Sequence, residues 1–569
     1  MESALQEAGY RRRILWLAAV LAAIGLLLLT QLVRWQVLPH EEIITLGLTQ
    51  SDRPHPIPAA RGAILDATGH YLVASTVRYR VGVTPRLLGD KQKEELAPQL
   101  AAVLGKPVEE IKEILAQNQA EYVPLANRLP AAVGLQLEDL RLPAFKLEAF
   151  YDRVYPDDGL AASVLGFIGL EKHEAYYGLE QRYDSILRGK DGVWRGVVTL
   201  WSDPLLVSLS GYQPAEDGAD LVLTLDRNVQ YTAEQMLREG MAENKASAGN
   251  ILVMDAQTGA ILAMANAPSY RPGEYWRVDS SDQYINTAIS AVYEPGSVFK
   301  PLTLAAGLEA RVIRPTDTYD DRGEIIVGNQ HIYNSGKRVP GRATMTELLA
   351  YSYNVGAAHV ATLLGPTRFY EIIRRFGFAE VTGIDLALEV PGWMRWPGHP
   401  GWHMSDLGTN SYGQGLAVTP IQVVAAYGAL ANGGILMRPY IVAEIRRGDR
   451  VEKRAPQAVR RVISAETSQQ ITQLMADAVE LGLKKAMVPG YRVAGKSGTA
   501  EIVEQESYQS RDIIASFVGF GPVPNPRFVV LVKYDKPREG YWGEEVAAPA
   551  FSRMMKFLFD YYGVSPSGR

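Results

Sequence analysis

Ser297-Val298-Phe299-Lys300 sets a hydroxyl and an amine three residues apart, directly after Tyr293-Glu294-Pro295-Gly296 and directly before Pro301. A serine hydroxyl is a poor nucleophile until a base takes its proton. A lysine supplies that base only where burial or a neighbouring positive charge keeps its free amine accessible near neutral pH. The Pro-Gly pair marks a turn, and the run Leu302 to Leu308 continues as a helix, because a proline such as Pro301 fits only near a helix start. Ser297 is therefore expected at a helix N-terminus, with Lys300 one turn along on the same face. Backbone N–H groups at such a terminus suit a developing oxyanion.

Two later segments offer complementary groups. Ser352-Tyr353-Asn354 carries a hydroxyl able to relay a proton and a carboxamide that both donates and accepts, which suits an amide substrate. Lys496-Ser497-Gly498-Thr499 brackets a glycine with hydroxyls beside a lysine. On a strand, those hydroxyls suit a substrate carboxylate, the lysine adds positive charge, and the glycine admits a close backbone approach. Taken singly, each segment has a plain structural reading: a capped helix with a surface lysine, a loop or cap pair, an edge strand. Gly490 to Ser497 also matches the phosphate-loop pattern G-x-x-x-x-G-K-[ST]. Such a loop follows a buried strand and opens a helix, whereas here Gly498 to Val503 alternates like a strand, so the match is read as coincidental. His399 and His403 flank Pro400 and Gly401, which disfavours a helical metal pair. Trp393, Trp396 and Trp402 read as packing residues rather than groove-liners.

These segments need a scaffold. Strand patterns at 249–254 and 260–265, helical patterns at 301–310, 347–364 and 368–376, paired strands at 515–520 and 528–534 and a helix at 552–562 predict helices with a largely antiparallel sheet, an α+β fold. Upstream, Lys91 to Leu115 reads as helices broken at Gly105–Pro107, and a turn-rich stretch around residues 211–218 marks a boundary near residue 216. The first 13 residues form a short tail ending in Arg11-Arg12-Arg13. Ile14 to Val33 follows without a charge, with only Thr30 and Gln31 polar. At about 1.5 Å per residue it crosses a hydrocarbon core of about 30 Å. Arg34 stands alone on the far side, followed by Glu41 and Glu42, so the N-terminus is expected in the cytoplasm and the rest outside. The apolar run is too long for a signal peptide and lacks an A-x-A exit, which favours an uncleaved anchor. A chain of 569 residues with 58 basic and 63 acidic side chains is multidomain and carries no global basic field, which argues against nucleic acid as a partner. With no cysteine at all, thiol catalysis, disulfides and cysteine-held metals are excluded.

The order S-x-x-K, S-x-N, K-[ST]-G resembles the penicilloyl-serine transferase signature. The neighbouring words resemble class B penicillin-binding proteins: Arg61-Gly62-Ala63-Ile64-Leu65-Asp66 with Gly69, Leu72 and Ala74; Arg153, Tyr155 and Pro156; Gly178-Leu179-Glu180 and Gly189; Tyr412-Gly413-Gln414-Gly415 with Thr419-Pro420; and Ala547-Ala548-Pro549-Ala550-Phe551. The resemblance spans about residues 60 to 555 and the anchor. It implies a transmembrane anchor at 14–33, an elongated mixed α/β pedestal of the dimerisation type at 34–215, and a β-lactamase-like transpeptidase domain at 216–569. It further implies a peptidoglycan D,D-transpeptidase with no cofactor, acting on stem peptides of strands derived from lipid II and acylated by β-lactams. Ser297 is then the nucleophile, Lys300 its base, Ser352 and Asn354 the relay and orienting pair, and Lys496, Ser497, Gly498 and Thr499 the carboxylate-binding strand. The backbone N–H groups of Ser297 and Thr499 form the oxyanion hole. The implied partner is a SEDS-type membrane glycosyltransferase, and the implied location the plasma membrane. Asn354 followed by Val-Gly, Phe376-Gly377-Phe378 and Thr382-Gly383-Ile384-Asp385 resemble division-type members more than elongation-type ones. The chain departs from the family pattern in lacking the arginine common after Asp66 and in having Ser497 where threonine is frequent. Alternatives on the same residues are a D,D-carboxypeptidase or β-lactam sensor, and a largely non-catalytic activator of the glycosyltransferase.

Overall fold

The apolar run that opens the chain is helical. In the computed structural model, which describes residues 2–36, 54–139, 144–170, 174–195, 211–502 and 512–566, helix α1 spans Glu2–Gln36. Its 26 residues Gly9–Arg34 are long and apolar enough to cross a bilayer, extending about 39 Å at 1.5 Å per residue. Leu15, Leu21 and Leu29 are exposed, so among the described residues no protein core covers this helix, and it fits a single-pass membrane anchor. Glu41 and Glu42 lie outside the described residues.

The chain forms two compact units, one of residues 1–59, 77–150 and 190–216, the other of 60–76, 151–189 and 217–569. In the first, helices α2 (Asp90–Leu104) and α3 (Val108–Leu115) are separated at Gly105, whose φ of 64° ends α2, and Pro107, which caps α3. Leu100, Ile111 and Leu115 are buried against Val81, Val83 and Leu125, where residues 78–83 pair antiparallel with 123–130. A separate three-stranded sheet joins residues 54–57, 192–195 and 211–213.

The second unit is built on a five-stranded antiparallel sheet: β1 (Ala248–Asp255), β2 (Ile261–Ala267), β3 (Ala494–Glu501), β4 (Ile513–Gly521) and β5 (Phe528–Asp535), in the order β2-β1-β5-β4-β3. Strands β1, β2, β4 and β5 read as largely apolar runs because both faces are covered, whereas the edge strand β3 alternates polar and buried residues. Ile251, Val253, Phe517, Val530 and Val532 face helices α4 (Arg227–Asn244) and, at the end of the chain, Ala548–Tyr561. The alternate residues Leu252, Met254, Val518, Val529 and Leu531 face the other way. There they meet α5 (Lys300–Glu309), α6 (Met345–Ala350), α7 (Asn354–Arg375), α8 (Pro420–Ala431) and α9 (Ala465–Gly482). The C-terminal helix Ala548–Tyr561 is α10. The fold is thus α+β, with an antiparallel sheet flanked by helices.

One sequence expectation changes. A single helix over 347–364 is replaced by α6 and α7, with Tyr351, Ser352 and Tyr353 between them. Ser352 takes φ 60°, which no α-helix admits. The far end agrees, since Gly365 leaves helical geometry just before Pro366.

Three sequence words distant along the chain converge in this unit on one carboxylate. Glu180 is fully buried. It accepts from Arg61 Nε at 2.6 Å and from Arg153 Nε and Nη2 at 2.8 and 2.6 Å. Arg61 also pairs with Asp184 at 2.7 Å, and Arg153 Nη1 donates to the Gly62 carbonyl at 2.9 Å.

Candidate active site

Ser297 lies in a 3-10 turn, Gly296–Phe299, that runs straight into α5 with Pro301 in its first turn. The turn is held from three sides. Gly296 N–H donates to the Gly413 carbonyl at 3.0 Å, and the Tyr427 hydroxyl donates to the Val298 carbonyl at 2.7 Å. Gly296 has φ 58°, and a Cβ there would come within 3.0 Å of the Thr499 carbonyl. The turn therefore sits directly against β3. A Cβ on Gly413 would overlap the Gly296 backbone, which accounts for the glycine in Tyr412-Gly413-Gln414-Gly415. Val298 and Phe299 are buried, while Ser297 keeps partial exposure.

The Lys300 amine is fully buried. It reaches the Ser352 carbonyl at 2.5 Å, Ser352 Oγ at 3.0 Å and Asn354 Oδ1 at 2.7 Å. Burial first, and the Lys496 charge second, hold this amine well below the ordinary lysine range. Three acceptors match the three donors of an ammonium ion. A carbonyl and a carboxamide oxygen can only accept, so when the amine is neutral the Ser352 hydroxyl is the one partner able to reverse and donate to it. Asn354 is fixed in this role because its Nδ2 donates to the Tyr333 carbonyl at 3.0 Å, leaving Oδ1 toward Lys300. The left-handed φ of Ser352 is a conformation costing about 1 kcal/mol or more outside glycine.

On β3 the strand alternation decides who faces what. Ser497, Thr499 and Glu501 line the cleft, whereas Lys496, Gly498 and Ala500 point to the buried side. Gly498 was expected to admit substrate. Its missing side chain instead makes room for the Ser297 turn: a Cβ would stand 2.9 Å from Val298, 3.0 Å from the Pro295 carbonyl and 2.6 Å from Ser516 Oγ. Lys496 is fully buried and, among the described residues, donates only to the carbonyl and hydroxyl of Ser497 at 3.0 and 3.3 Å. Burial lowers its pKa to about 7, and Glu544 pulls in the opposite direction. Thr499 Oγ1 accepts from Gly543 N–H at 3.0 Å, which ties the turn Gly543–Val546 to the strand.

Ser297, Ser352, Asn354, Ser497 and Thr499 thus meet in one cleft of about 370 Å³. Lys300 and Lys496 lie behind its wall. Lys496 and Ser497 continue in a strand with no helix opening from them, which removes the context a phosphate loop needs. His399 Nδ1 accepts from Gly401 N–H at 3.1 Å, and His403 precedes the helix Met404–Asn410. Trp402 donates to the Tyr370 hydroxyl, and the three tryptophans stand outside the cleft lining. Sequence reading missed Asn334, which is buried, accepts from Val355 N–H at 3.0 Å and donates to Asp321 Oδ1 at 2.8 Å. It thereby anchors the first turn of α7, and no local motif marks it. It also missed Arg338 and the run Tyr541-Trp542-Gly543-Glu544, which line the cleft. For that run the signal is its place immediately before the word Ala547 to Phe551.

An accessible serine, a buried amine whose pKa burial lowers and an adjacent edge strand are the parts of a serine acyltransferase site. Comparison with known proteins narrows the class. The model of the penicillin binding protein transpeptidase domain matches residues 249–556, and that of the penicillin-binding protein dimerisation domain matches 56–223. Stage V sporulation protein D of Bacillus subtilis is 32% identical over 98% of this chain and 86% of its own length. The probable peptidoglycan D,D-transpeptidase PbpC of Pseudomonas aeruginosa is 30% identical over 92% of this chain and 91% of its own. The crystal structure of penicillin binding protein 3 from Mycobacterium tuberculosis, complexed with aztreonam, superposes with a TM-score of 0.70 at 26% identity, covering 90% of this chain and 98% of that one. The chain belongs to the penicillin-binding proteins, and within them to the class B members that join a dimerisation domain to a transpeptidase domain.

Proposed function

We infer that the protein is a serine-type peptidoglycan D,D-transpeptidase whose nucleophile is Ser297. The observation that carries the reading is the buried Lys300 amine, held by Ser352 and Asn354 one turn from Ser297. Lys300 takes the Ser297 proton as Oγ attacks the penultimate D-alanine carbonyl of a stem peptide. The backbone N–H groups of Ser297 and Thr499 receive the oxyanion. The amide C–N bond breaks, the proton passes through the Ser352 hydroxyl to the leaving amine, and D-alanine departs. A second stem's amine then attacks the ester, a new amide forms and Ser297 regains its proton. Ser497 and Thr499 hold the donor's terminal carboxylate, with Lys496 supplying positive charge from beneath. A β-lactam follows the same first step, but its amine stays tethered to the acyl group, so the ester persists.

Residues 34–215 act as the pedestal and 216–569 as the transpeptidase domain, although residues 60–76 and 151–189 belong to the same compact unit as 217–569. The anchor and pedestal contact a SEDS-type membrane glycosyltransferase. Arg11, Arg12 and Arg13 hold the N-terminus in the cytoplasm and leave the cleft outside, in a division role. Purified protein supplied with polymerised, uncross-linked glycan strands is expected to release D-alanine and form cross-linked stems, and Ser297→Ala to do neither. Cross-linking by Ser297→Ala would overturn the reading.

A further inference from the structure

A carboxamide can face a neighbour in two ways: turned one way it offers an acceptor, turned the other way a donor. The direction of Asn354 therefore decides whether the Lys300 ammonium keeps its third acceptor. We propose that Asp321, acting through Asn334, is the positioning residue that sets this direction, so that a buried carboxylate on a neighbouring strand holds the acceptor of the base in place. The inference deepens the transpeptidase reading and rests on Lys300 as the base for Ser297.

Asp321 ends the strand Thr318–Asp321 and is fully buried. Its Oδ1 accepts from Gly323 N–H at 2.9 Å and from Asn334 Nδ2 at 2.8 Å, and its Oδ2 accepts from the Tyr319 hydroxyl at 3.1 Å. An ionised carboxylate can only accept, which obliges Asn334 to present its nitrogen. That nitrogen also donates to the Arg338 carbonyl at 3.3 Å. Asn334 Oδ1 is left facing Val355 N–H at 3.0 Å, the amide next to Asn354. The preceding peptide is fixed with it, and the Tyr333 carbonyl, again able only to accept, takes Asn354 Nδ2 at 3.0 Å. Asn354 Oδ1 is then left toward Lys300 at 2.7 Å. Reversing either amide would set donor against donor and acceptor against acceptor, which a buried site penalises.

The pair is wedged against α7. The Tyr319 ring stacks on His359 at 5.6 Å, and a Cβ on Gly356 would overlap the Tyr319 hydroxyl. The charge acting directly on Lys300 is that of Lys496 on β3, on which Glu544 acts in turn, whereas Asp321 reaches Lys300 through the two amides. Burial raises the Tyr319 and Tyr353 phenols and lowers the His359 imidazole, which leaves all three neutral near neutral pH. Glu347 and Arg338 also act on Tyr353, and the Glu347 carboxylate caps α6 at Thr344.

The test follows benzylpenicillin acylation of the full-length protein in detergent as a function of pH, with denaturant midpoints measured alongside. In Asn334→Ala the direction of Asn354 is released, the ammonium loses an acceptor, and the Lys300 pKa falls further. The rising limb of the rate is expected to move to lower pH, and the plateau to fall about tenfold as Ser352 and Asn354 leave their positions. Asp321→Ala is expected to do the same. Asp321→Asn keeps an Oδ1 that accepts from Gly323 and Asn334, and the Tyr319 hydroxyl can turn to accept from the new amide, so its limb is expected to stay in place. A purely structural role would lower the midpoint without moving the limb. A limb that stays or moves to higher pH in Asn334→Ala, an unchanged plateau, or an equal displacement in Asp321→Asn overturns the inference. Failure of both alanine variants to fold overturns it too, because the pair then serves the scaffold alone. Absence of any acylation in the unaltered protein is a separate result, which would remove the transpeptidase reading itself.

Discussion

At the residue scale the proposed chemistry rests on two buried amines, and their coupling makes a signed prediction. Burial and the Lys496 charge both disfavour the Lys300 ammonium. Free Lys300 amine accumulates as pH rises through its lowered pKa, so the rate of penicillin acylation rises over the same range. Removing the neighbouring charge with Lys496→Met relieves one of the two causes. The Lys300 pKa then rises, free amine becomes scarcer at a given pH, and the rising limb moves to higher pH. Stopped-flow acylation across roughly pH 5 to 9 measures this. A limb that stays in place, or moves to lower pH, denies that the two amines are coupled.

At the scale of elements, the 3-10 turn and β3 work as a pair because glycine stands at both sides of their contact. Gly498→Ala puts a methyl where Val298, the Pro295 carbonyl and Ser516 already stand. It is expected to cost about 1–3 kcal/mol of stability, as overpacking does, and to slow penicillin acylation about tenfold or more by displacing Ser297. Denaturant unfolding and acylation rates together check it, and normal values for both would separate the turn from the strand. Much of this scale was legible beforehand. Four of the five strands of the sheet carry apolar runs, and Pro301 fixes where α5 starts. What escaped was the break at Tyr351–Tyr353, because the helical periodicity of residues 347–364 continues across it and only tertiary bonds from Lys300 favour the left-handed Ser352. The function of Gly498 escaped for the same reason: the pattern identifies a glycine on a strand, but not which face a distant turn will press against. Asn334 was invisible because it holds α7 through space and not through spacing.

At the scale of the whole molecule, segments far apart in sequence build the unit that carries the cleft. Arg61, Arg153 and Glu180 were recognisable only as words of a family pattern, and their meeting at one buried carboxylate gives the pattern a physical reason. Glu180→Ala leaves two guanidinium groups without their shared partner and is expected to destabilise the protein by about 3–5 kcal/mol. A fall in unfolding midpoint with a preserved Ser297 cleft is the expected signature, and a change under about 0.5 kcal/mol contradicts a structural role for the triad. The anchor was the most legible feature of all, since a long uncharged apolar run needs no tertiary context to be helical in a bilayer. The most direct measurement is the intact mass of the full-length protein after incubation with benzylpenicillin, followed by peptide mapping. One added penicilloyl group on the peptide that contains Ser297, absent from Ser297→Ala, is the predicted result. An unmodified folded protein, or an adduct that survives in Ser297→Ala, would contradict the assignment of Ser297 as nucleophile.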